Sequence, residues 1–310
     1  MVARLTGRRA ALVMALLTLS LPLTSSQEHV PSKEWSAEGG HSVLMEQYTA
    51  TWCDVCASVD VWMPDFTSAN GNRVARVAVH DTFDDPLGTP ITAHRAQYHS
   101  TALAAPSFWF DGSLLFGGAP DKASLHRALL SAEGQRADDT RMGLVVRELS
   151  ASQISISVEL SDITTPDSTQ VSLFALRASA SIGPEQATNG ITEHHDVAFA
   201  YAETSIEGDA KWSYPDASWD DATGAGQSVE PGGVVVLTRT LELPEGVATE
   251  ELRIVAVHES SSAEGSEPST MGAVAVSLGN QGDSDEVGLL VPLSLILALS
   301  TLAITARSRR

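Results

Sequence analysis

"QYTATWCDVCASVD", residues Gln47 to Asp60, holds both cysteines of a 310-residue chain. They stand three apart, directly after Trp52. The residues leading in, "HSVLMEQYTA" (41–50), are apolar and β-prone and read as a strand. From Cys53 the period changes. "CDVCASVDVWM" sets Val55, Val59 and Trp62 at i, i+4 and i+7, one apolar face of a helix that Pro64 ends or kinks. Cys53 is therefore expected in the first turn of a helix that follows a strand.

Further out, "NRVARVAVH" (72–80) alternates as a second strand, and "TPITAHRAQYH" (89–99) reads as a helix. In "PSFWFDGSLLFGG" (106–118) two apolar runs flank Asp111-Gly112, a dipeptide that accepts the positive φ of a tight hairpin turn. "DKASLHRALLSAEG" (121–134) closes the series as a helix, with Asp121 as N-cap, Leu125 and Leu129 on one face and Gly134 as the stop. The order is β-α-β-α-β-β-α. Gln27 to Gly40 is polar and turn-rich, and is expected to be a mobile lead-in.

Beyond a polar link near Arg136 to Thr140 the texture changes. "QISISVEL" (153–160) alternates strictly, and "QVSLFALR", "VVVLTRTLEL", "LRIVAVHE" and "GAVAVSLG" do so less cleanly. With "GLVVREL" these make six or seven short strands with turn signals between them, the pattern of an all-β sandwich of the immunoglobulin-like kind.

The two ends suggest an address. Arg4, Arg8 and Arg9 precede an uncharged apolar run from Ala10 to Leu23, with small residues Thr24 and Ser26 after it. This reads as a signal peptide over 1–26. A linker at 279–286 leads to an uncharged run at 287–306, about 20 residues, long enough to cross a bilayer at about 1.5 Å per residue. Arg307, Arg309 and Arg310 follow as a cytoplasmic tail, 307–310. The expectation is a single-pass cell-membrane protein with residues 27 to 286 extracytoplasmic. The formal net charge of −20 excludes a nucleic-acid partner, because such a surface repels phosphate backbones.

Four readings compete for Cys53 and Cys56. A structural disulfide closes so small a loop that it stabilises little. Half of a zinc site lacks its other ligands. Copper handling would use both thiolates with His80, at the end of the second strand. A redox pair uses the helix N-terminus, whose unpaired N–H groups favour thiolate over thiol. On that reading Cys53 is the nucleophile, and Cys56, one turn on, resolves the mixed disulfide.

"TATWCDVC" resembles the active-site segment of the thioredoxin-like proteins, which place a Trp before a C-x-x-C motif at a strand-to-helix junction. The second signature of that family is a cis-proline facing the motif before the central hairpin, and "AAPSFWFDG" offers Ala105-Pro106 for it. The likeness covers roughly Ser42 to Ala132. With the "VAVHDTFDDPLG" and "HRAQY" segments it is similar to the extracytoplasmic branch that pairs this fold with a β-sandwich. The resemblance implies an α/β thioredoxin-like fold over 41–135, followed by the sandwich over 141–278. It implies dithiol exchange through a Cys53–Cys56 disulfide, with no cofactor, acting on protein thiols and disulfides and served by a redox partner protein. Trp52, Ala105 and Pro106 would form the substrate platform. The sequence departs from thioredoxin in three places. Asp54-Val55 replaces Gly-Pro, the helix proline lies three residues later, and Gln47 stands where a buried acid serves proton transfer. The nearest acid, Glu46, is turned to the other face by strand alternation.

Other groupings read more plainly. His194-His195-Asp196 is expected in a solvated loop, and His94 and His99 share no helical face. Trp212, Tyr214 and Trp219 are expected at a packed sandwich edge rather than as a ligand contact.

Overall fold

A computed structural model describes residues 33–100, 104–136, 140–163, 168–220, 233–261 and 267–279. Strands dominate them. β1 spans Glu34–Gly39 and β2 Val43–Thr49; the short helices α1 (Asp54–Asp60) and α2 (Met63–Asn70) lead to β3 (Val74–His80). Helix α3 (Pro90–Tyr98), the hairpin β4 (Ser107–Phe110) and β5 (Ser113–Gly117), and helix α4 (Lys122–Gln135) complete the first half. Then follow β6 (Arg141–Ser150), β7 (Gln153–Ser161), β8 (Thr169–Ser181), β9 (Glu193–Ser205), β10 (Ala210–Tyr214), β11 (Val235–Glu242), β12 (Leu252–Ser260) and β13 (Thr270–Ser277).

These strands form two sheets. One has four, in the order β1-β6-β7-β11; the other has nine, in the order β13-β12-β8-β9-β3-β2-β4-β5, with β10 on β9. The expected fold class, an α/β thioredoxin-like unit followed by a separate β-sandwich, is corrected by this topology. The chain is mostly β, and both sheets mix strands from its two halves: β2 to β5 share the larger sheet with β8, β9, β10, β12 and β13, and β1 joins β6, β7 and β11 in the smaller. The junction is β9, which runs parallel to β3 at Ala78↔Val197 and antiparallel to β8 over its length.

The expected C-terminal transmembrane helix and single-pass membrane placement are corrected as well. No helix among the described residues is long and apolar enough to cross a membrane. The run at 287–306, the leader at 1–26 and the tail at 307–310 lie outside the described residues.

Three apolar clusters follow from the layering. Alternate residues of β6 and β7 (Leu144, Val146, Ile154, Ile156, Val158) meet Leu173, Ala175, Leu252 and Ile254 of the larger sheet, a sheet-on-sheet core. One face of β2, β3 and β4 packs Val43, Met45, Val74 and Phe108 against α1, α2 and α4 through Val59, Met63, Phe66, Leu125 and Leu129. The other face carries Leu44, Tyr48, Ala75 and Val77, covered by α3 and by residues of β8, β9 and β12. Every residue of β2 is buried, because both faces of the strand are covered.

Two expectations fail locally for physical reasons. The supposed lead-in contains β1, whose partner β6 lies more than a hundred residues away, from Glu34↔Arg147 to Gly39↔Met142. Helix α1 turns Val55 outward and buries Cys56, Val59 and Asp60 instead. It stops before Trp62, and α2 restarts with Pro64 in its first turn, where a missing amide costs nothing.

Buried His258 on β12 lies between the hydroxyls of Thr140 and Thr169, at 2.8 and 3.0 Å. Burial pushes its imidazole down to about 4. The folded value thus lies below the unfolded value of about 6.5, so the neutral ring stabilises fully above about pH 6.5 and the contribution is lost as pH falls toward 4. The unfolding free energy from urea titration should therefore fall across that window, by at most about 3 kcal/mol from this residue. His258→Gln should flatten the drop; a profile unchanged by the substitution would assign it elsewhere.

Candidate functional site

Cys53 and Cys56 form a disulfide, with sulfurs 2.09 Å apart and Cα atoms 5.2 Å apart. The strand-to-helix turn that sets them is short. Cys53 N donates to Ala50 O at 3.1 Å, and Cys53 itself is the N-cap of α1 in extended conformation. Its Sγ accepts from the Cys56 amide at 3.1 Å, the bond a capping side chain makes. The sulfurs are not equivalent. Cys53 is 6% exposed, while Cys56 is 0% exposed and faces inward.

Opposite the disulfide stands the Ala105-Pro106 peptide, which is cis. The Ala105 carbonyl oxygen lies 3.7 Å from Cys53 Sγ. Pro106 is buried and Ala105 half-buried, so the chain entering β4 forms a wall beside the sulfur. Trp52 precedes Cys53 in the chain and is exposed, and its Nε1 donates to Phe83 O at 2.9 Å. The structure thus brings Trp52, Ala105, Pro106 and both cysteines together.

Glu46 and Gln47 point to opposite faces of β2. Glu46 turns away from the disulfide and pairs with Arg95 through 2.7 and 2.9 Å bonds and with His99 at 2.8 Å. Burial alone would raise its carboxyl, but the Arg95 guanidinium and His99 outweigh it and hold the group well below the usual carboxylate range. Gln47 faces α1, and its Nε2 donates to Asp60 Oδ1 at 2.6 Å. Thr49 Oγ1 donates to the other Asp60 oxygen at 2.9 Å. The carboxylate on the Cys56 side is therefore Asp60, supplied by the helix four residues after Cys56 and not by the strand. Sequence reasoning missed it, although its place in the Cys56 stripe was visible.

His80 is engaged by a carboxylate. Its Nδ1 meets Asp85 Oδ2 at 3.0 Å, and the same carboxylate oxygen accepts the Thr51 amide at 2.8 Å. Its Nε2 is buried with no hydrogen-bond partner among the described residues, and His80 borders a small cavity lined also by Thr49, Asp60, Arg76 and His194. The His80 and His194 rings meet edge to face at 5.0 Å. Burial first, then the neighbouring His80, holds the His194 imidazole below its usual value. Among the described residues no three His, Cys, Asp or Glu side chains gather as a metal ion would need. The copper set of Cys53, Cys56 and His80 is accordingly not assembled.

The expected loop at His194-His195-Asp196 is the start of β9. His194 and Asp196 are buried there, and Asp196 accepts from Arg76 and Arg253 at 3.2 and 2.9 Å. Trp219 is in the sheet-on-sheet core, and Trp212 stacks on His94 with centroids 4.0 Å apart. A second residue that sequence reasoning passed over is Asn189, in the turn before β9. Its amide N–H donates to Thr51 O at 3.1 Å, and its Nδ2 donates to Ala50 O at 3.2 Å and Cys53 O at 3.3 Å. The β-rich half thereby holds the disulfide turn directly.

No family model matches the chain, and no curated protein matches it. Solved structures do. HBP35 of Porphyromonas gingivalis is 14% identical and superimposes with a TM-score of 0.58 over 79% of each chain. Protein AGR_C_4864 from Agrobacterium tumefaciens is 11% identical, with a TM-score of 0.52 over 80% of this chain and 98% of that one. At such identities the likeness is one of fold alone.

Proposed function

We propose that the protein is a thiol–disulfide oxidoreductase acting on protein thiols and disulfides through Cys53 and Cys56. The observation that carries this reading is the asymmetry of the two sulfurs: Cys53 caps α1 beside the Ala105 carbonyl and keeps 6% of its surface exposed, and Cys56 is hidden one turn behind it at 0%. In the reduced protein the Cys53 thiolate attacks a substrate disulfide, and the first substrate sulfur leaves as a thiolate. Cys56, once deprotonated, attacks Cys53 Sγ, reforms the internal disulfide and releases the second substrate sulfur. Substrate oxidation is the same path reversed. The Cys56 amide aimed at Cys53 Sγ favours the anion, since a hydrogen bond to the charged form lowers a pKa. Exposed Asp54 next to it acts in the opposite sense. The resemblance of "TATWCDVC" and Ala105-Pro106 to the thioredoxin-like active site supports the same chemistry.

The test is a redox titration of the full chain against glutathione, with alkylation and mass shift as readout. A working pair opens reversibly as a two-electron couple between about −120 and −270 mV; an inert structural bridge stays closed to below about −300 mV. A bridge closed throughout the upper window would remove the proposal.

A further inference from the structure

Exposed apolar and acidic residues stand next to Cys53 and in the turn bonded to Trp52. Trp52 is 41% exposed, Val55 52% and Phe83 77%. Phe83 is held in this position by its neighbours. Its amide donates to Asp81 Oδ1 at 2.7 Å, its carbonyl takes the Trp52 indole, and Asp85 Oδ1 caps the turn through the Leu87 amide at 2.8 Å. Asp81 is in turn bonded by the Tyr48 hydroxyl. The aromatic ring is thus presented to solvent by a built turn. Exposed Asp54 follows Cys53, and exposed Asp84 follows Phe83 at φ 54°. The chain as a whole carries a net charge of −20.

We infer that this rim selects its substrate: a cysteine-bearing polypeptide segment whose cysteine is flanked by apolar and basic residues. The inference rests on the proposed oxidoreductase reading and names the substrate class for the same site. The apolar flanks of such a segment cover Trp52, Val55 and Phe83, while its Lys or Arg side chains meet Asp54 and Asp84. An acidic segment brings like charges together at the rim, a repulsion that discriminates between partners more sharply than the attraction does. Because the charges are exposed, salt weakens the preference and leaves the apolar part.

The experiment is a single turnover of the pre-reduced full chain. The probes are two synthetic peptides that share leucines around one cysteine and differ in lysine or glutamate at the outer flanks, each joined to glutathione as a mixed disulfide. The balance closes without another reductant: Cys53 and Cys56 lose two electrons and become the disulfide, and the peptide and glutathione leave as two thiols. The lysine peptide is expected to react about tenfold faster at low ionic strength, within the range that electrostatic steering covers. In 0.5 M salt, a concentration at which the Debye length falls to roughly 4 Å, the gap should close. Asp84→Lys, outside any helix, should reverse the order, and Phe83→Ser should slow the lysine peptide. Equal rates for both peptides with prompt closure of the Cys53–Cys56 bridge would overturn the inference and leave the redox reading standing. No reaction with either peptide, from thiols shown to be free by alkylation, would overturn both.

Discussion

Cys53→Ser is expected to reduce disulfide turnover to the uncatalysed rate, whereas Cys56→Ser is expected to complete one step and then stop. The two sulfurs are chemically alike, so the difference comes from position. Cys53 sits at the N-cap of α1 beside the Ala105 carbonyl and keeps 6% exposure, the side from which an incoming disulfide would be attacked. A serine there supplies a hydroxyl that stays protonated and forms no bond to sulfur of the kind exchange needs. Cys56 is fully buried and bonded to Cys53. With Cys56 replaced, the first attack still proceeds and the mixed disulfide has no resolving thiol. The expected result is one equivalent of substrate retained covalently on each chain, released by added dithiol. Non-reducing electrophoresis and intact mass measure it. Substrate retained on Cys53→Ser and none on Cys56→Ser would exchange the two roles.

Arg95→Leu is expected to destabilise the fold by about 3–5 kcal/mol, the cost of leaving buried charges without their partner. Arg95 is fully buried on α3 and grips Glu46 of β2 and Glu259 of β12 with two bonds each, at 2.7 to 3.1 Å. Its guanidinium also lies 4.2 Å from the centre of the Tyr98 ring. A lysine at this position would supply the charge without the planar fork, so Arg95→Lys should recover only part of the loss. Removing all three ionised groups together should recover more, since well-packed apolar residues replace a buried ion cluster at little cost. Acid gives a further check. Without Arg95 the buried Glu46 carboxyl loses the partner that most holds it low and takes up a proton more readily, so the defect should shrink as pH falls toward 4. Urea unfolding at pH 7 and pH 4 measures both. A loss below about 1 kcal/mol at pH 7 would show that water reaches the cluster.

The local elements were legible because their signals are local. β2 is marked by β-prone residues, the hairpin turn by Asp111-Gly112, both at positive φ, and α4 by Asp121, whose Oδ1 accepts the Ser124 amide at 2.6 Å. The juxtaposition of Cys53 with Ala105-Pro106 was legible only through a resemblance, since no periodicity relates residues 52 positions apart. What stayed hidden depends on long-range pairing. β9 carries His194, Asp196, Glu203 and Thr204 among small alanines, and both its faces are covered, so it shows no alternation. β1 looks like a polar lead-in because its order comes from β6. Asn189 is one polar residue in a turn until the fold sets it against Ala50, Thr51 and Cys53. The expected separation into an α/β unit and a sandwich failed at the same point, because the β3–β9 pairing leaves no trace in either segment read alone.

β1 and β6 are neighbours in one sheet, although the whole disulfide-bearing stretch lies between them in the chain. That stretch is therefore a guest, spliced into what would otherwise be an ordinary hairpin of its host. Its entry and exit points are held side by side, so a short turn could close the gap if it were excised. The host would not emerge intact: β9 would lose its parallel neighbour at Val197 and present a bare edge there, an invitation to self-association, because β10 pairs only from Tyr201 to Thr204. Neither part is a detachable module, and transplanting the disulfide to another scaffold would mean carrying β9 and its Asn189 turn along with it.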